Sequence, residues 1–285
     1  MCALARFAEV SERSGVNPAT VQAAQAGPSR TTPWWYLAGV LCYAPVVLFI
    51  DGRLAAPWPW EYALGVLTLA ILALWTLRLT ASDRLQVWIC VVVATGWEIL
   101  GSQVWGGYRY RFGAIPAFVP FGHGLVYVFA FSLAATPWVR RRERLVAYGA
   151  LAAASAWALA GVTVLPALTH RLDWHGVYWL PLFAAAILFG PRKALFAGIF
   201  IAVTDLELAG TIFGAWTWLP KVPWFHVMSG NPPSAVAGGY AVIDGSVLLI
   251  VALLTESVRR WRSIPAVSRR RAYATSQTAN SATPT

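Results

Sequence analysis

Two acidic side chains lie inside apolar segments of this sequence, each three residues before a glycine. Glu98 precedes Gly101, and Glu207 precedes Gly210. A charged residue at the centre of a membrane helix costs about 2.5–3.5 kcal/mol on insertion scales, so an acid in this position is a functional candidate. A buried carboxylic acid holds a proton that it can donate to a substrate. The sequence therefore predicts that Glu98 and Glu207 act as catalytic acids or bases.

Both glutamates belong to a pattern that occurs twice, at 96–127 and at 204–240. In each copy the helix ends in glycine and aromatic residues, and an aliphatic-proline turn follows. Aromatic faces stabilise a nearby cation, including the carbocation that forms when an alkene is protonated. An interfacial belt of aromatic residues is the alternative interpretation. The residues predicted to bind substrate in such a cavity are Trp105, Tyr108, Tyr110, Trp216 and Trp218.

Four further polar residues are candidates for the same site. Asp205 and Asp244 lie in apolar segments, and His123 lies between two glycines at the start of another. Asn231, in a polar turn, can orient a water molecule or a substrate group. A structural role is the alternative for each acid, for instance an ion pair with one of the arginines at 109 and 111. The histidines lack metal-ligand spacing, so no metal is expected.

The segments that carry these residues predict an all-α integral membrane protein. The chain is 58% hydrophobic and only 12% charged, whereas a soluble domain has about 25% charged residues. Apolar runs near the length of a membrane helix recur along the sequence. They predict about eight transmembrane helices, near 34–50, 60–79, 85–104, 120–139, 145–168, 175–190, 193–212 and 235–256.

The basic residues are distributed unevenly between the two sides of this topology. Of the 22 Lys and Arg residues, 17 lie in the N-terminal segment, in alternate loops and in the C-terminal tail. This bias places both termini in the cytoplasm and the chain in the cell membrane. The high isoelectric point of about 10.0 is then explained by contact with anionic lipids, and a nucleic-acid partner is not expected.

The glutamate-bearing helices both run outward in this topology, which predicts two parallel four-helix repeats. The first repeat is 33–142 and the second is 143–258. Disordered cytoplasmic segments are expected at 1–32 and 259–285. The outer loops at 105–119 and 213–234 are rich in Gly, Pro and aromatic residues, and are predicted to be re-entrant or interfacial.

The two motifs resemble those of bacterial carotenoid hydratases and, more loosely, of membrane lycopene cyclases. The similarity comprises E-I-L-G at 98–101 with G-x-Y-x-Y ending at Tyr110, and a D-x-x-x-x-G pattern from Asp205 followed by G-x-W-x-W ending at Trp218. The resemblance implies hydration of a terminal isoprenoid double bond without a redox cofactor. It also implies that Glu98 and Asp205 are the acid and base.

The sequence therefore predicts a membrane enzyme of hydratase or cyclase type that protonates an isoprenoid or carotenoid-like lipid. Its expected partners are this lipid substrate and the surrounding membrane lipids. Two alternatives remain open at this point. One is a proton-coupled transporter of a small or lipidic substrate, and the other is a non-catalytic membrane scaffold.

Overall fold

The computed structural model describes residues 34–54 and 59–263, and these contain a helix at each of the eight predicted positions. The predicted N-terminal segment 1–32 and the tail 264–285 lie outside the described residues. The last helix continues to Ser263, beyond the predicted boundary at 258. The long helices are α1 (Trp34–Phe49), α2 (Trp60–Thr76), α3 (Ala81–Glu98), α4 (Val119–Ala135), α6 (Glu143–Thr163), α8 (Trp174–Phe189), α9 (Lys193–Phe213) and α10 (Ala237–Ser263). The short helices are α5 (Pro137–Arg141) and α7 (Pro166–Thr169), and the strands are β1 (Tyr108–Tyr110) and β2 (Trp216–Trp218).

Five helical segments of the described chain are long and apolar enough to cross a membrane. They are Trp34–Leu54, Ala81–Val104, Glu143–Thr163, Lys193–Phe213 and Ala237–Ser257. Helices α2, α4 and α8 are also apolar but only 16 or 17 residues long. Large apolar side chains such as Val92 and Phe189 point outward, with exposed fractions of 72% and 80%. A surface of this kind suits contact with lipid, and these features indicate a helical membrane protein.

The ends of the helices are set by local sequence. Thr80 caps α3, where its hydroxyl accepts a hydrogen bond from the backbone N–H of Asp83 at 3.1 Å. Such side-chain caps satisfy N–H groups that have no partner within the helix. Gly214 ends α9 in the left-handed conformation, with φ of 81°, which glycine adopts without steric cost. The chain therefore turns directly from α9 into β2.

Helix α3 widens into a π-helical segment, Ile99–Val104, directly after Glu98. The N–H of Trp105 bonds to the carbonyl of Leu100, five residues back, at 2.7 Å. The Ser102 hydroxyl donates to the carbonyl of Glu98 at 2.7 Å, and such bonds compete with regular helical pairing. Glu98, Gly101 and Trp105 nevertheless all line one cavity. Segments of π-helix occur frequently at functional sites.

The two glycine-aromatic loops are joined by an antiparallel ribbon. Tyr108 lies opposite Trp218, and Tyr110 lies opposite Trp216. Side chains alternate between the faces of a strand, so these four rings share one face while Arg109 points to the other. The all-α prediction did not include this sheet. Its two strands lie far apart in sequence, and each is only three residues long.

The long helices pack so that α4 and α9 lie at the centre of the bundle. Helix α9 contacts α1, α4, α6 and α8, while α10 packs against α3 and α8. Gly198 lies against Ala130 where α9 and α4 meet, and a Cβ at position 198 would come 2.8 Å from the Cα of Ala130. Small residues at such a crossing allow close helix contact. This packing brings α3, α4, α9 and α10 around one cavity.

Candidate functional site

A cavity of about 460 Å³ lies between these helices and the ribbon. Both repeated glutamates line it, although they come from opposite halves of the chain. The sequence predicted that the two acids and the aromatic residues would meet in this way. The lining contains eight of the predicted residues: Glu98, Trp105, Tyr108, Tyr110, His123, Glu207, Trp216 and Trp218.

Glu98 is held by three side chains. The hydroxyls of Tyr108 and Tyr110 both donate to Glu98 Oε2, each at 2.5 Å. The Nε2 atom of His123 lies 2.9 Å from Glu98 Oε1. Arg111, one of the two arginines considered as ion-pair partners, donates to the backbone carbonyl of Asp51. Glu98 and His123 therefore form a pair that can share one proton.

The two tyrosines of β1 stay protonated in this arrangement. Burial and, next, the charge of Glu98 raise the pKa of both Tyr108 and Tyr110 well above their ordinary value of 10.0. Each phenol therefore keeps its O–H, and Glu98 Oε2 acts as an acceptor for both. A proton held by this glutamate would then lie on Oε1, facing His123.

Glu207 is held by two indoles in the corresponding way. The Nε1 atoms of Trp216 and Trp218 both donate to Glu207 Oε2, each at 3.0 Å. An indole can only donate, so Oε2 is an acceptor. Within residues 34–54 and 59–263, no group bonds to Oε1 of Glu207. If Glu207 is protonated, Oε1 carries the proton, and no protein acceptor competes for it.

The glycine of each E-x-x-G motif makes room for a ring that bonds to the glutamate. A Cβ at Gly210 would overlap the ring of Trp216, and one at Gly101 would lie 3.1 Å from the ring of Tyr108. The glycines therefore have a steric role in both halves. The ring from the next strand fills the space beside each glycine.

Six aromatic residues outside the predicted set also line the cavity: Trp97, Phe118, Trp179, Trp224, Phe225 and Tyr240. Trp224 and Phe225 lie in the loop after β2 and are each 70% exposed. Leu100 and Val104 of the π-helical segment are also exposed while lining the cavity. Together, Leu100, Val104, Trp224 and Phe225 form an apolar opening, called the mouth below. Trp105 bonds through Nε1 to the carbonyl of Pro223 at 2.9 Å, which ties this loop to α3.

Asp173, which the sequence analysis did not single out, anchors the segment before α10. Its carboxylate accepts hydrogen bonds from the backbone N–H groups of Gly176 at 3.0 Å, Gly230 at 2.9 Å and Ser234 at 2.6 Å. Asp at the start of a helix is a recognisable capping signal. The two longer-range bonds could not be inferred from sequence, because they join residues 57 and 61 positions apart.

His175 is part of the same scaffold. Trp179 donates through Nε1 to His175 Nε2 at 2.9 Å, and His175 Nδ1 lies 3.1 Å from the Ser229 hydroxyl. Since the indole must donate, Nε2 is the acceptor and the imidazole proton lies on Nδ1. Both ring nitrogens are occupied, so His175 holds the loop rather than a substrate.

Three predicted site residues lie outside the cavity: Asp205, Asn231 and Asp244. Asp205 lines a separate space of about 40 Å³ beside Tyr43 and Thr68. Two residues along a helix point in widely different directions, so Asp205 and Glu207 cannot share a face of α9. Asn231 is exposed, and its Oδ1 accepts a bond from the N–H of Trp218 at 2.8 Å, which positions β2.

Asp244 is fully buried one turn beyond Tyr240 on α10. It lies close enough to Tyr127 and Cys90 to interact electrostatically. Neither of its carboxylate oxygens has a hydrogen bond from the described residues. No group of three or more His, Cys, Asp or Glu residues in the described chain could hold a metal ion.

No protein-family model matches the chain, and no curated protein or solved structure matches it. Its class is therefore defined by the fold and the cavity. It is a helical protein with segments long and apolar enough to span a membrane, in which two glutamates from different halves of the chain line one aromatic cavity.

Proposed function

We propose that the protein is a membrane enzyme that protonates an alkene of an isoprenoid or carotenoid-like lipid, as a hydratase or a cyclase. The observation that carries this proposal is the unequal bonding of two acids in one cavity. Glu207 has one carboxylate oxygen without a partner among the described residues. Glu98 has both oxygens bonded, one of them to an imidazole. This difference in bonding suits Glu207 as the proton donor and Glu98, with its imidazole partner, as the proton acceptor.

Glu207 acts as the acid in the first step. Its Oε1–H bond breaks as a C–H bond forms at one alkene carbon, and the neighbouring carbon becomes a cation. Aromatic faces stabilise a cation within about 6 Å of the ring centroid. The rings of Trp216, Trp218 and Tyr108 line the cavity near this acid. Most of the lining surface of the cavity is apolar, which restricts solvent water.

The Glu98–His123 pair acts as the base in the second step. In a hydratase, a water oxygen bonds to the cation and the water proton passes to this pair. In a cyclase, a second alkene of the same molecule attacks the cation, and the pair removes a proton from carbon. Neither sequence changes the number of electrons, so neither requires a redox cofactor.

The setting of the cavity supports a lipid as the substrate. The mouth is apolar, and half of it comes from a segment long enough to cross a membrane. We include in the proposal eight spans in two parallel four-helix repeats, with both termini in the cytoplasm. The matched bonding of Glu98 and Glu207 and the pairing of β1 with β2 support the repeat.

Isotope labelling tests the proposal. Membranes with the wild-type protein, Glu207→Gln or Asp205→Asn are supplied with isoprenoid and carotenoid precursors in heavy water and in ¹⁸O-water, and products are analysed by mass spectrometry. A hydratase incorporates one carbon-bound deuterium and one ¹⁸O, whereas a cyclase incorporates only deuterium. Both labels should vanish in Glu207→Gln and persist in Asp205→Asn. No labelled product from the wild type would overturn the proposal, and proton-linked uptake into liposomes would then support the transporter.

A further inference from the structure

Tyr240 is the one residue of α10 that combines a phenol hydroxyl with a position in the cavity wall. It is buried, and its ring lies over His123 with centroids 5.3 Å apart and an interplanar angle of 32°. Tyr240 also interacts electrostatically with Glu207 and Glu98. Tyr108, Tyr110, Cys90 and Asp244 are further titratable groups that interact with it. Tyr240 therefore lies beside His123 and lines the same cavity as both acids of the proposed reaction.

The hydroxyl of Tyr240 is not committed to another side chain. No hydrogen bond joins it to any residue that the structure describes. The other two phenols of the cavity, Tyr108 and Tyr110, are both bonded to Glu98. A phenol can donate and accept at the same time, so Tyr240 is the tyrosine of this cavity that is free to do both.

Each turnover of the proposed reaction transfers one proton from Glu207 to the Glu98–His123 pair. Glu207 has lost its proton to the substrate, while the Glu98–His123 pair has gained one. The two glutamates are held by different strands and bonded to different rings. Before the next turnover, a proton must pass from the pair to Glu207, or Glu207 must take one from outside the cavity.

We propose that Tyr240 returns this proton from the Glu98–His123 pair to Glu207, an inference that rests on the proposed function. The Tyr240 O–H bond breaks as an O–H bond forms at Glu207 Oε1. As that bond breaks, the phenol oxygen receives the proton held by Glu98–His123, directly or through one water molecule, so that no phenolate forms. The step restores both acids and the phenol, and no proton is gained or lost overall.

The variant Tyr240→Phe separates the return step from the protonation step. It keeps the ring that packs on His123 and removes only the hydroxyl. We expect the first turnover to proceed at the wild-type rate and to give a burst of one product per protein molecule. The steady-state rate should then fall by about 100-fold or more, in the range typical of a lost acid–base group.

Tyr127→Phe is the matched control. Tyr127 lies one turn beyond His123 on α4, and its buried hydroxyl has no hydrogen-bond partner in the described chain. It lies outside the cavity lining, so this variant should keep both the burst and the steady-state rate. Fluorotyrosine placed at position 240 retains the hydroxyl but makes it more acidic. It should shift the pH dependence of the steady-state rate while leaving the burst unchanged.

Three outcomes would overturn the inference. The first is a steady-state rate in Tyr240→Phe equal to that of the wild type. The second is a burst and a steady-state rate that fall together, which would assign Tyr240 to substrate placement. The third is an unshifted pH profile with fluorotyrosine. If the wild type forms no product at all, the proposed function fails as well, so the two failures can be distinguished.

Discussion

Tyr110 of β1 lies opposite Trp216 of β2, and the two side chains donate to different glutamates, Tyr110 to Glu98 and Trp216 to Glu207. One ribbon therefore holds the donors for both acids. The same positions carry phenols in the first half and indoles in the second. The two motifs thus share a bonding geometry but differ in chemistry, because a phenol can exchange its proton and accept a bond whereas an indole only donates.

The first prediction concerns the acid. Glu207→Gln should lower turnover by about 10²–10⁴-fold, the range for loss of a general acid. The amide oxygen of glutamine can still accept the bonds from Trp216 and Trp218. Folding should therefore be preserved, which thermal unfolding in detergent can measure beside product formation.

The controls for this prediction are Asp205→Asn and Asp244→Asn. Both remove a carboxyl from an apolar helix, but neither position lines the cavity. Turnover in these two variants should stay within a few-fold of the wild type. A loss in Asp205→Asn as large as that in Glu207→Gln would contradict the assignment of the acid.

The second prediction concerns alkaline pH. The pKa of Tyr108 and of Tyr110 is raised in the folded protein above the ordinary value of 10.0. Unfolding lowers each pKa, so the protonated phenols stabilise the fold fully below about pH 10, and this contribution is lost as the pH rises toward the folded values. Unfolding free energy should fall with pH above 10.

The double variant Tyr108→Phe, Tyr110→Phe isolates the contribution of these two phenols. Its stability should fall less steeply above pH 10 than that of the wild type, since other buried tyrosines remain. Identical slopes for the two proteins would contradict the assigned pKa direction. The measurement is denaturant unfolding at a series of pH values, followed by circular dichroism.

The third prediction concerns the glycines of the E-x-x-G motifs. Gly210→Ala should displace the ring of Trp216 from Glu207, because the new Cβ would overlap it. Gly101→Ala should have a smaller effect, since the closest ring atom of Tyr108 would lie 3.1 Å away. Gly96→Ala is the control, because a Cβ there would meet nothing within 4 Å.

The predicted order of these effects is tested by measuring the turnover and the thermal stability of the three variants. Gly210→Ala should lose the most turnover and the most stability, and Gly101→Ala should lose less of each. Gly96→Ala should lose neither. A helical Gly→Ala change by itself favours the helix by about 1 kcal/mol, so Gly96→Ala can gain stability. Equal losses in all three variants would show that the rings do not depend on these glycines.

Part of this site could be predicted from the sequence because its sequence signals are local. Glu98 and Glu207 have the same neighbours in sequence, and this alone predicted that they lie at equivalent places. Asp205 was a candidate as an acid in an apolar segment and from the resemblance, but the phase of α9 separates it from Glu207. The pairing of Tyr110 with Trp216 could not be predicted, because three-residue strands carry little signal and their partner is distant. Tyr240 was missed because its helix carries no repeated motif.

The last prediction concerns the segment that carries one side of the mouth. The Asp173 carboxylate accepts three backbone N–H bonds, two of them from Gly230 and Ser234 of this segment. Asp173→Asn replaces one acceptor oxygen with an NH₂ donor that faces an N–H group. Each buried donor left without a partner costs about 1–3 kcal/mol, so stability should fall by at least this amount, and KM should rise more than kcat falls.

Asp244→Asn is the matched control, since that buried carboxyl accepts no bond from the described residues. Equal destabilisation in the two variants would show that burial of the acid, rather than its three bonds, determines the loss.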